Sequence, residues 1–115
     1  MNDGTIDYRG ALEAVERILN RGGDPTDVLT AVLEALRARG VDSARVRFIE
    51  AGVLVDGPAV GGDAERLVVR VVFDGAEVGS LELAVDDVAF AERVATLVSP
   101  YVRAGSDTAG EGPLP

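Results

Sequence analysis

The stretch VVRVVFDGAEVGSLELAV, residues 68–85, reads as two strands closed by a tight turn at Asp74-Gly75. Period-two alternation places Leu67, Val69 and Val71 on one side of the first strand and Gly79, Leu81 and Leu83 on one side of the second. Successive side chains point to opposite faces, so only an odd number of connecting residues brings the two sets together. A type I turn with Gly75 as a bulge residue is the predicted device. Gly79 is then an empty side-chain slot in the core face, the mark of a close approach by another element. Tyr8, Phe90 and Leu97 are the aromatic and aliphatic residues expected to fill it.

Reading outward, residues 7–21 carry Tyr8, Ala11, Leu12, Val15, Ile18 and Leu19 at helical spacing, and Gly22-Gly23 ends that helix. Asp24-Pro25-Thr26-Asp27 starts a second helix: Asp24 caps, Pro25 suits the first turn, and Asp27 favours the positive end of the dipole. Val28, Leu29, Val32, Leu33 and Leu36 form its apolar face, and Gly40 stops it. Ala44, Val46 and Phe48 alternate with Arg45, Arg47 and Ile49 in a strand that turns at Ala51-Gly52 into a shorter one, Val53 to Asp56. Residues 57–65, GPAVGGDAE, have loop composition. Asp86-Asp87 opens a last helix with the stripe Phe90, Val94, Leu97, Val98 and Tyr101, expected to kink or fray near Thr96 because Pro100 has no amide. One compact domain over residues 1–103 and a flexible tail over 104–115 follow from the loss of apolar period at AGSDTAGEGPLP.

Composition removes most chemistries. With no cysteine there is no thiolate nucleophile, and with no histidine the commonest general base and metal ligand are gone. All eleven basic residues are arginine, which also removes lysine chemistry. A net charge of −9 opposes binding to nucleic acid or an anionic membrane surface. The N-terminus has no signal-like run, so a cytoplasmic protein is expected. The carboxylate pairs Asp86-Asp87, Asp3 with Asp7 and Asp24 with Asp27 stand where helices begin and read as caps rather than acid–base or metal pairs. Gly57, Gly61 and Gly62 lack the following lysine and helix of a phosphate loop. No catalytic residue, metal or cofactor is expected.

Two helices, a hairpin, a loop, a second hairpin and a closing helix, together with VVFDGAEVGSLEL and DDVAFAERVATLVSPYV, resemble the GAF domain family over residues 8–103. The resemblance implies an α+β, GAF-like or PAS-like fold: a four-stranded antiparallel sheet in order 2-1-4-3 with three helices on one face. It also implies a departure. The family usually roofs a ligand pocket with a long segment between the hairpins, and GPAVGGDAE is too short for that. GAF enzymes that reduce free methionine sulfoxide and GAF domains that attach bilins depend on cysteines, so neither activity carries over.

The open face of the sheet gathers Arg45, Arg47, Ile49, Arg66, Val68, Arg70, Val72, Val78, Ser80 and Glu82 by alternation. Arg45, Arg47 and Arg70 over the apolar floor of Val68 and Val72 are the candidate ligand residues, suited to a small anionic metabolite. Arg66 facing Glu82 reads equally as a cross-strand ion pair. The reading is a non-catalytic sensory or regulatory module that signals through a homodimer or a partner protein, with binding of the small anion as the alternative. For the dimer, small-residue helix surfaces at Ala11, Ala14, Ala91 and Ala95 are favoured slightly over sheet-to-sheet contact, because arginines are costly to desolvate.

Overall fold

In the computed structural model, which describes residues 6–110, the chain runs α1 (Tyr8–Arg21), α2 (Pro25–Ala38), β1 (Ser43–Glu50), β2 (Val53–Gly61), β3 (Leu67–Phe73), β4 (Ala76–Leu83) and α3 (Val88–Gly110). The strands form one antiparallel sheet in the order β2-β1-β4-β3, as the family resemblance implied. Helices α2 and α3 lie on one face of it, and α1 packs against α2 and α3 rather than on the strands. Each helix starts on a carboxylate: Asp7 accepts from the Gly10 amide, Asp24 from Asp27 and Asp87 from Phe90. Those three aspartates therefore cap helices, as their positions predicted; Asp3 lies outside the described residues.

The core face joins Val15, Leu29, Leu33 and Leu36 of the first two helices to Val46, Val71, Leu81, Leu83, Val94, Val98 and Val102, all at most 1% exposed. Leu67 and Val69 are only half-buried, since β3 is an edge strand. The register pairs Leu67 with Leu83, Val69 with Leu81 and Val71 with Gly79, so the two apolar sets do share a face. The device differs from the expected turn. Asp74 and Gly75 both have positive φ, 56° and 83°, the two-residue connection that matches strand twist. The odd residue comes instead from a bulge between Val71 and Val72.

The filler of the Gly79 slot also differs. Val102 of α3, not Tyr8, Phe90 or Leu97, lies over that glycine. Tyr8 and Phe90 instead meet each other edge to face, with centroids 4.7 Å apart.

Two expectations about chain ends of elements are corrected. Residues 57–61 are strand rather than loop, because a second irregularity between Arg45 and Arg47 absorbs Gly57-Pro58 and restores pairing at Ala59, Val60 and Gly61. Proline is tolerated there because β2 is an edge. Helix α3 does not stop before residue 104 but continues to Gly110, while residues 111–115 lie outside the described part. The ring of Phe48 explains a glycine in each element: a Cβ on Gly57 would stand 2.6 Å from one edge of it and a Cβ on Gly105 2.9 Å from the other. Composition alone marks these glycines as breakers, whereas here they make room for an aromatic ring.

Candidate functional site

The five residues 62–66 carry the chain from one edge of the sheet to the other. Three strand spacings amount to roughly 14 Å, and six peptide steps reach about 20 Å at most. The crossing is therefore nearly taut along the end of the sheet and leaves the face opposite the helices uncovered. Ser43 at the start of β1 donates its hydroxyl to the Gly62 carbonyl at 2.9 Å. Arg66 donates to that hydroxyl at 2.8 Å and to the same carbonyl at 3.3 Å, pinning the crossing down.

On the open face the register aligns side chains in rows. Asp56 pairs with Arg47, Arg47 with Ser80 and Ser80 with Arg70, one residue from each strand. The adjacent row is Ala59, Arg45, Glu82 and Val68. Glu82 holds the centre: Arg66 Nε donates to one of its oxygens at 3.2 Å, and Arg47 Nε lies 3.3 Å from the other. Asp56 stands 3.5 Å from Arg47 and 3.9 Å from Arg45, and Arg70 is 4.0 Å from Glu77. The expected Arg66–Glu82 pair is thus present, as part of a chain of charges across the sheet.

All of Arg45, Arg47, Arg70, Val68 and Val72 stand on this face. Arg45 and Arg47 converge on the Asp56–Glu82 axis, whereas Arg70 and Val68 lie towards the β3 edge with Val72 beyond the bulge. Asp56 and Ser43 were missed by the sequence reading. Alternation through a longer β2 finds Asp56, and Ser43 sits two residues before Arg45.

Two polar atoms of the central row are buried without a hydrogen-bond partner, Arg47 Nε and Ser80 Oγ. For Arg47 the neighbouring carboxylates are at ion-pair distance, yet the N–H makes a hydrogen bond to neither. Arg47 Nε is thus held electrostatically between two carboxylates, and its side chain keeps 33% of its surface in water. Two of the larger clefts lie off this face: one of about 640 Å³ on the helix side, between α2 and Val60-Gly61, and one of about 590 Å³ at the end of the sheet under the crossing, at Asp42, Arg66 and Ala84. Among the described residues no cluster of three acidic side chains is arranged to hold a metal, and no helix is long and apolar enough to cross a membrane.

The helix surfaces expected to pair in a dimer are not available for it. Ala11, Ala91 and Ala95 are buried within the chain's own core, and Ala14 is half-buried.

No protein-family model matches the sequence, and no curated protein does. Solved structures do match in fold. The fRMsr of Staphylococcus aureus in complex with substrate superposes with a TM-score of 0.72 at 11% identity, over 85% of this chain and 97% of that one. Its reduced form gives 0.71, also at 11% identity, over 85% of this chain and 96% of that one. The free methionine-R-sulfoxide reductase of Neisseria meningitidis, in complex with its substrate, gives 0.69 at 17% identity, over 89% of this chain and 91% of that one. These matches correct the reading as a non-catalytic sensory or signalling module. The proteins of known structure that share this architecture here are enzymes, so neither a signalling role nor the absence of catalysis follows from the fold.

Proposed function

We propose that this chain recognises a small free amino acid of the oxidised-methionine class on the open face of its sheet. The observation that carries the reading is the cross-strand pairing of Arg47, whose side chain is 33% exposed, with Ser80 on the open face, beside the carboxylates of Asp56 and Glu82. A guanidinium and a hydroxyl donate to a carboxylate or a sulfoxide oxygen, and a nearby carboxylate accepts from an ammonium. Those are the groups of a zwitterionic sulfoxide, and the reductases that share the fold are named for a free one. The order of elements and the sheet topology support membership of the GAF family in the same way.

Reduction of a sulfoxide takes two electrons and two protons. Two thiols become one disulfide, the S–O bond breaks, and the oxygen leaves as water. The chain has no cysteine, so both thiols come from another molecule. A cytoplasmic setting, where thiol pools are kept reduced, suits that supply.

Calorimetric titration with the R and S epimers of free methionine sulfoxide and with methionine tests the reading. Saturable 1:1 binding that prefers a sulfoxide and is lost in Arg47→Leu is expected, and methionine release in the presence of a dithiol measures turnover. Absence of binding into the millimolar range, or equal binding by Arg47→Leu, overturns it.

A further inference from the structure

We propose that a second copy of this chain covers the open face, sheet against sheet, about a two-fold axis parallel to the strands. Such an axis reverses the strand order, laying β3 of one copy over β2 of the other and β4 over β1, while each row stays opposite itself. The row Asp56, Arg47, Ser80, Arg70 then meets its own reverse. Arg70 faces Asp56 of the second copy, and Arg47 faces Ser80. In the adjacent row Arg45 faces Glu82 and Val68 faces Ala59. Val72 comes over Leu54, two of the exposed large apolar residues at 49% and 44% exposure.

The charge pattern selects this axis over the alternative. A two-fold across the strands between the two rows would stack β1 on β1 and set Arg45 of each copy against Arg47 of the other, a like-charge contact. The groups needed across the interface are loosely held within the chain. The contacts of Arg45 with Asp56 at 3.9 Å and of Arg70 with Glu77 at 4.0 Å are too long for hydrogen bonds, and the side chains of Asp56 and Arg70 are both 80% exposed. The pair that is costliest to dry, Arg66 with Glu82, is already 19% and 11% exposed in the single chain, so much of its desolvation precedes association.

Net charge points the same way. Arg45, Arg47, Arg66 and Arg70 nearly balance Asp56, Glu77 and Glu82 on this face, in a chain of net charge −9. Two copies therefore repel least when they approach through it. A four-stranded face is at the small end for a stable dimer, so the association is sought at micromolar concentrations and above. The second copy and the amino acid use the same Arg47 and Ser80, so ligand and dimer compete for this face; the test is therefore made without ligand, and a failure of the dimer leaves the ligand reading untouched.

Sedimentation velocity of the full chain across micromolar concentrations, without ligand, tests the proposal. The native chain is expected to dimerise, and R70E and D56R each to raise the dissociation constant about tenfold or more. The double variant R70E/D56R, which swaps the facing charges, is expected to recover part of the loss. Both positions are exposed, and thermal melting confirms that each variant is folded. A monomeric native chain, a dimer indifferent to R70E, or a double variant weaker than either single one overturns the proposal.

Discussion

Val102 of α3 stands directly over Gly79 of β4, its Cγ1 3.0 Å from the position a Cβ on that glycine would take. The same Cβ would also press on the Arg47 carbonyl oxygen of the neighbouring strand, which belongs to the sheet's own backbone. A side chain at residue 79 therefore forces helix and sheet apart. Gly79→Ala is expected to lower unfolding free energy by ~1–3 kcal/mol, the usual cost of overpacking. Adding Val102→Ala removes the side-chain obstacle but not the carbonyl, so the double variant should not regain native stability. Urea unfolding measures both, and a neutral Gly79→Ala would mean that α3 does not lie this close to β4.

Glu82 is the shared partner of two arginines, and its side chain is only 11% exposed. Glu82→Gln keeps the shape and removes the charge, leaving Arg47 and Arg66 to face each other. The expected loss is about 2 kcal/mol, below the ~3–5 typical of a fully buried pair because Arg47 keeps a third of its side chain in water. The loss should change little between low and moderate salt, since half-dry pairs are weakly screened. An unchanged denaturation midpoint would show that the charges are free in solvent.

Asp7 accepts the Gly10 amide at 3.0 Å and the Arg39 guanidinium at 3.1 Å. The amide first, and Arg39 with it, hold the carboxyl below its ordinary value against a smaller opposing effect of desolvation. A folded-state pKa that is lowered adds stability above the unfolded pKa and loses it as pH falls through the folded one. The gap in stability between the native chain and Asp7→Asn should therefore be full at neutral pH and close on acidification below the ordinary aspartate range. Chemical denaturation at a series of pH values reads it, and a gap independent of pH would contradict the assignment.

The opening hairpin shows what sequence reading reaches and where it stops. Alternation alone put Leu67, Val69 and Val71 with Leu81 and Leu83, because a strand with one buried face admits a single register. It did not say which device supplies the odd residue, since a bulge at Val71/Val72 and a three-residue turn give the same faces. The helices were legible from caps and apolar spacing. Gly57 and Gly105 were misread because their reason is a third residue, Phe48, far away in sequence. The site was half legible: the arginines follow from period two, but Asp56 joins them only once β2 is known to pair with β1 through its bulge. What no sequence pattern displayed is the row Asp56, Arg47, Ser80, Arg70, which exists only across four strands.

Pro100 sits inside α3 without ending it, and the reason is one residue away. A proline offers no amide to the carbonyl four residues before it, here that of Thr96. Ser99, only 6% exposed, donates its hydroxyl to that carbonyl at 2.9 Å. The serine replaces the bond the proline cannot make, and the helix runs on to carry Val102 over Gly79 and Gly105 against Phe48. Ser99→Ala should then cost ~0.5–1.5 kcal/mol, the net worth of one hydrogen bond, since Thr96 is an exposed residue whose carbonyl water can reach. In a Pro100→Ala background the new amide reclaims the Thr96 carbonyl, so the same Ser99→Ala change should cost far less. A double-mutant cycle by urea denaturation measures the difference directly. Equal costs in the two backgrounds would mean that the hydroxyl stabilises something other than the carbonyl freed by the proline.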